Sequence, residues 1–168
     1  LYDNKQSFED NVRAFLRTDS AFYRLAASWM NKSFRTPESY NTLLYAMSNG
    51  YNRIGEIAKF SGFPKNKCDK YIKALIEHGL VIKAPGENGH TKYLPANTYL
   101  TLWYKCLLTA VPNPDGSFGE NVFNRFMQVF NDELMADYYK DMCDYWLEKN
   151  INSISTEYID TKNSSYHN

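Results

Sequence analysis

Residues 53–83 read RIGEIAKFSGFPKNKCDKYIKALIEHGLVIK, and this stretch decides the fold. It opens on a short apolar period, Ile54, Ile57 and Ala58, which predicts a helix from Arg53 to Phe60. Ser61-Gly62-Phe63-Pro64 follows. Glycine tolerates positive φ and proline cannot donate to a preceding helix, so these four residues predict a tight turn. Beyond it, Cys68, Tyr71, Ile72, Leu75 and Ile76 recur at helical spacing over Lys65 to His78, and Gly79 ends the run. A turn of this length lets its two helices cross steeply. Leu80-Val81-Ile82-Lys83 and Thr91-Lys92-Tyr93-Leu94 are β-prone runs on either side of Pro85-Gly86-Glu87-Asn88-Gly89, which is the pattern of a hairpin.

Upstream, Thr36-Pro37-Glu38 combines a capping hydroxyl, a proline suited to the first helical position and an acid in the first turn. The helix it starts carries Tyr40, Leu43, Leu44 and Met47 inward and stops at Asn49-Gly50. Three helices and a hairpin in this order predict a mainly α chain with a winged helix-turn-helix over residues 36–98. Flanking helices surround it. Residues 6–16 place Phe8, Val12, Phe15 and Leu16 on one face, and Asp19-Ser20 caps a helix with Phe22, Leu25 and Trp29 inward. Tyr99 to Ala110 reads as another apolar helix, residues 111–118 as a loop, and Phe123 to Asn150 as a helix broken near Asn131-Asp132. The expected organisation is therefore an N-terminal helical linker (1–35), the winged helix (36–98), aromatic-rich helices (99–150) and a Ser/Thr/Asn-rich flexible tail (151–168).

Composition bounds the function. Of 168 residues, 43% are hydrophobic and 16% aromatic, enough to build a packed core. No run approaches the roughly 18 uncharged apolar residues that span a bilayer, and the N-terminal residues have no signal-peptide pattern. No membrane partner is expected. Cys68, Cys106 and Cys143 are odd in number and sit in apolar helical patterns, so they read as reduced core thiols of a cytoplasmic protein.

Net charge is zero but unevenly spread. Residues 51–98 hold eight basic and four acidic side chains, and residues 99–168 hold five basic and ten acidic. On a helical wheel Asn66, Lys67, Lys70 and Lys73 lie away from the Cys68–Ile72–Leu75 stripe, and Lys65 opens the same helix. Lys83, His90 and Lys92 lie on the hairpin. Together they are the candidate contacts to double-stranded DNA, the helix in the major groove and the hairpin on phosphates. The same lysines equally suit a solvated face or a protein interface. No arginine occurs on this helix to make a bidentate guanine contact, so base-specific reading is not expected.

Several runs together resemble one family: Phe34-Arg35-Thr36-Pro37-Glu38-Ser39-Tyr40-Asn41, Ile54-Gly55-Glu56-Ile57-Ala58, Tyr71-Ile72-Lys73-Ala74-Leu75, Gly79-Leu80-Val81, Leu102-Trp103-Tyr104 and Tyr139-Lys140-Asp141-Met142-Cys143. Across residues 6–150 the chain resembles the region after the nucleotide-binding domain of archaeal-type P-loop ATPases of the AAA+/STAND kind, many of which end in a nuclease-like domain. The last run departs from the family pattern at two positions. The resemblance implies a fragment of a larger ATPase, with ATP and Mg belonging to a missing domain that the winged helix would dock on or regulate. No Gly-Lys-Ser/Thr loop occurs here and no nuclease element is recognised, so the expectation is a non-enzymatic module without a cofactor of its own.

Other chemistry is weaker. His78, His90 and His167 have no metal-ligand spacing. Asp137, Asp141 and Asp144 share a helix side and read as a solvated acidic face, or as a dock for a basic surface. Trp103, Tyr104, Phe123, Phe126, Phe130, Tyr138, Tyr139, Tyr145 and Trp146 recur at helical spacing and read as core rather than a base-stacking platform, with a few free to face outward as an interface.

Overall fold

The computed structural model describes residues 3–136 and 138–150. The chain divides into two compact units, Leu1–Met127 and Gln128–Asn168. The tail expected at 151–168 and Asp137 of the acidic face lie outside the described residues.

The first unit is built on α3 (Pro37–Ser48), α4 (Ile54–Ser61) and α5 (Lys65–Glu77), followed by β1 (Val81–Pro85) and β2 (Thr91–Pro95). This is the winged helix-turn-helix order. Leu43, Leu44, Ile57, Cys68, Ile72, Leu75 and Leu80 are fully buried and form its core. Gly62 takes φ +70° in the turn between α4 and α5, a conformation costly for any residue with a Cβ. The two strands pair antiparallel with Lys83 opposite Tyr93 and Ala84 opposite Lys92. The Tyr93 N–H donates to the Asn52 carbonyl at 2.8 Å, which ties the wing to the segment before α4.

Flanking helices complete this unit. α1 (Phe8–Leu16) is capped by the Ser7 hydroxyl and α2 (Ala21–Ser33) by the Ser20 hydroxyl. α6 (Thr98–Cys106) packs on α3, and the buried Tyr104 hydroxyl donates to Asn41 Oδ1 at 2.8 Å. Burial raises the Tyr104 pKa far above the phenol range, so it stays a neutral donor. α7 (Glu120–Val129) turns Val122, Phe123 and Phe126 inward. Phe15, Phe22, Tyr99 and Phe126 make one aromatic cluster. Arg13 on α1 clasps Glu120 on α7 with two bonds of 2.6 and 2.9 Å and lies 3.9 Å over the Phe123 ring.

In the second unit, Phe130–Met135 is π-helical and residues 138–150 are α-helical.

Several expectations change. Thr36 makes no side-chain cap, and α3 starts on its N1 proline alone. Leu25, read as inward, is 56% exposed. The break expected near Asn131-Asp132 is a widened, π-helical stretch rather than an interruption of helical structure. Tyr138, Tyr139, Tyr145 and Trp146 are exposed rather than core, and Cys143 is exposed while Cys68 and Cys106 are buried. Helical period shows that a face is apolar, not that a partner covers it.

Candidate nucleic-acid interface

α5 is oriented by its own buried stripe. With Cys68, Ile72 and Leu75 anchored against α3 and α4, Lys65, Asn66, Lys70 and Lys73 are exposed. The amide of Lys67 donates to Asn66 Oδ1 at 2.8 Å, which leaves the Asn66 side-chain NH2 facing solvent.

The lysines are not equivalent. Lys67 is half-buried, its ammonium 3.8 Å from the Phe63 ring centroid and 5.4 Å from that of Tyr71. It packs as a cation over aromatic faces. Behind it Tyr71 stacks on Tyr40 and Tyr40 on Phe34, so these rings are used by one another. Lys73 pairs with Asp69 one turn before it at 2.7 Å. The hydrogen bond and charge of Asp69 raise the Lys73 pKa, with a smaller contribution from the Tyr93 phenol. Lys65 and Lys70 are the exposed cations of α5 that neither an aromatic ring nor a carboxylate engages among the described residues.

The wing sorts its residues by register. Successive side chains point to opposite faces of a strand. Val81, Lys83 and Pro85 therefore share a face with Pro95, Tyr93 and Thr91, and Ile82 and Ala84 share the other with Leu94 and Lys92. Val81, on the Lys83 face, is 2% exposed, so that face is the one turned toward the core. Lys92 lies on the opposite face, its stem running beside Gly86. His90 is exposed at the tip, where Asn88 and Gly89 take left-handed φ of 56° and 73°. Of the residues that the sequence nominates, the structure leaves Lys65, Asn66, Lys70 and Lys73 exposed on α5 and Lys83 exposed on the wing. It commits Lys67 to aromatic contacts and turns Lys92 away. Tyr93 and Thr91 join the Lys83 face, a placement that follows from strand parity once the hairpin register is known.

Among the described residues no group of three or more His, Cys, Asp or Glu side chains is placed to hold a metal ion. No described helix is long and apolar enough to cross a membrane.

No family model matches the chain, and no curated protein does. Two solved structures are similar to it. One is a homodimeric winged helix-turn-helix DNA-binding domain from Mycobacterium bovis, described as a possible ArsR-family transcriptional regulator. It is 16% identical, with 83% of this chain and 95% of that one covered, at a TM-score of 0.36. The other is AbfR in a disulfide-bonded form, 14% identical, with 88% and 87% covered, at 0.35. Likeness this loose carries no argument, and the winged-helix assignment rests on the element order and packing above.

Proposed function

We propose that the winged helix binds duplex DNA through phosphates, with little base reading, as a non-catalytic module of a larger P-loop ATPase. One observation carries the DNA reading: Lys65, Asn66 and Lys70 stand exposed on α5 and Lys83 stands exposed on the wing. Lysine is a point charge that neutralises phosphate and releases counterions, whereas bidentate reading of guanine is the work of arginine, which α5 lacks. The ATPase parentage rests on the sequence runs quoted above, and ATP and Mg belong to that domain. The free thiols suit a reducing, cytoplasmic setting.

Fluorescence anisotropy with a labelled random duplex across a salt series tests this. Binding should weaken steeply with salt. Lys65→Ala/Lys70→Ala should flatten the log–log slope by about 1.8, two phosphates at about 0.9 each, while Lys67→Ala changes it little. Flat anisotropy at low salt and high protein concentration would sink the proposal.

A second reading has its own observation. Tyr138, Tyr139, Met142, Tyr145 and Trp146 are exposed on one short helical stretch, with Asp141 and Asp144 beside them. Exposed apolar patches mark protein contacts, so the chain would also dock on its ATPase domain or a partner. Titration of the isolated ATPase domain, with Tyr145→Ala/Trp146→Ala as control, tests that reading.

A further inference from the structure

We infer that residues 138–150 form an antiparallel helix pair with a second copy of this chain. The inference deepens the protein-contact reading of that stretch and rests on it. At about 100° per residue, Tyr139, Met142 and Trp146 fall in one seam along the helix. Tyr138 and Tyr145 flank the seam on one side, Cys143 and Leu147 on the other. Lys140, Asp141, Asp144 and Glu148 make the back. All of these side chains are exposed. An isolated helix of this length is marginal in water, so a stretch this apolar takes most of its helical stability from whatever covers the face.

Area, charge and register select a second copy as the cover. Tyr138, Tyr139, Met142, Tyr145, Trp146 and Leu147 are between 45% and 63% exposed. Side chains of this size bury up to about 200 Å² each, so the face offers about 500–600 Å² per copy. Two such faces bury about 1,000–1,200 Å², which reaches the lower limit of a specific interface. The acids all lie on the back, so pairing brings no like carboxylates into the seam. With the two-fold axis level with residue 144, each Met142 meets Trp146 of the second copy in a sulfur–aromatic contact. Each Lys149 then meets Tyr139 of the second copy. Lys149 already leans over this face, its ammonium 5.7 Å from the Tyr145 ring centroid, which suits it to a second ring. A parallel pair would instead set Lys149 against its own copy and align the two helix dipoles in the same sense.

Sedimentation velocity of the full chain over a wide concentration range reads the pairing directly. The chain should pass from monomer to dimer as concentration rises, at the micromolar levels expected of a small interface. Tyr139→Glu/Trp146→Glu should weaken dimerisation at least about thirtyfold, the effect of losing one aromatic hot spot, and Glu148→Gln on the back less than about twofold. Crosslinking of the wild type is an independent readout. Antiparallel pairing sets the two Cys143 thiols on the same side of the seam near its two-fold axis, so a short bismaleimide should join them and Cys143→Ser should remove the product. Parallel pairing holds them on opposite sides. A monomer at every concentration overturns the inference, and so does a dimer that the seam variant leaves intact. A seam-dependent dimer without the Cys143 product overturns the antiparallel arrangement. A chain that stays monomeric yet binds the isolated ATPase domain through the same face overturns the pairing and keeps the broader protein-contact reading. If it binds neither, both fail.

Discussion

Helix α5 and residues 138–150 are both thirteen residues long and both carry apolar side chains at helical spacing. In α5 that stripe is sealed, with Cys68, Ile72 and Leu75 at most 1% exposed, and the polar side chains face outward. In residues 138–150 the aromatic side chains are more than half exposed. Periodicity reports that a helix has an apolar face to cover; whether a neighbour covers it is a separate fact that only tertiary structure supplies.

The sharpest way to break this contrast is by thiol chemistry. Cys143 should react with a disulfide reagent in the native state at the rate of an open thiol. Cys68 and Cys106 should react at least about a hundredfold slower, because they wait on opening of the core. Equal rates for all three would dissolve the distinction. Next in size are side-chain truncations. Leu75→Ala should cost about 3 kcal/mol in urea unfolding, since a fully buried leucine leaves a cavity. Tyr145→Ala should stay within about 0.5 kcal/mol.

A smaller effect tests the turn that aims α5. Gly62→Ala meets nothing within 4 Å, so its cost, about 1 kcal/mol, comes from the left-handed backbone alone. The smallest concerns an exposed pair. The Arg13 hydrogen bond holds the Glu120 carboxyl below its ordinary pKa. A depressed carboxylate contributes above its unfolded pKa, and that contribution fades as pH falls through the lowered folded value. Urea midpoints of the wild type and Glu120→Gln should therefore differ at neutral pH and converge in acid.

The sequence was most legible where local chemistry acts alone. The tight turn at Ser61–Pro64, the proline start of α3, the Ser20 cap and the two strands all follow from residues within a few positions of one another. Helix ends were less so. α6 stops at Cys106 rather than Ala110 and α7 begins at Glu120 rather than Phe123. For the candidate interface, the wheel placed Lys67, Lys70 and Lys73 outside the core, but did not show the ring that takes Lys67 or the carboxylate that takes Lys73. Those are i, i+4 neighbours, so the pairs were readable in principle, while which competitor wins depends on rotamer and burial. The split of Lys83 and Lys92 between opposite faces needed the strand register.

The clasp of Arg13 on Glu120 has a topological consequence. It joins α1 to α7 and so brings the two ends of the first unit together, making its chain nearly a closed ring. A ring can be opened elsewhere. Linking the ends near residues 7 and 127 and cutting between Asn88 and Gly89, at the exposed wing tip, would give a circular permutant that keeps the same core with the break moved to its outer edge.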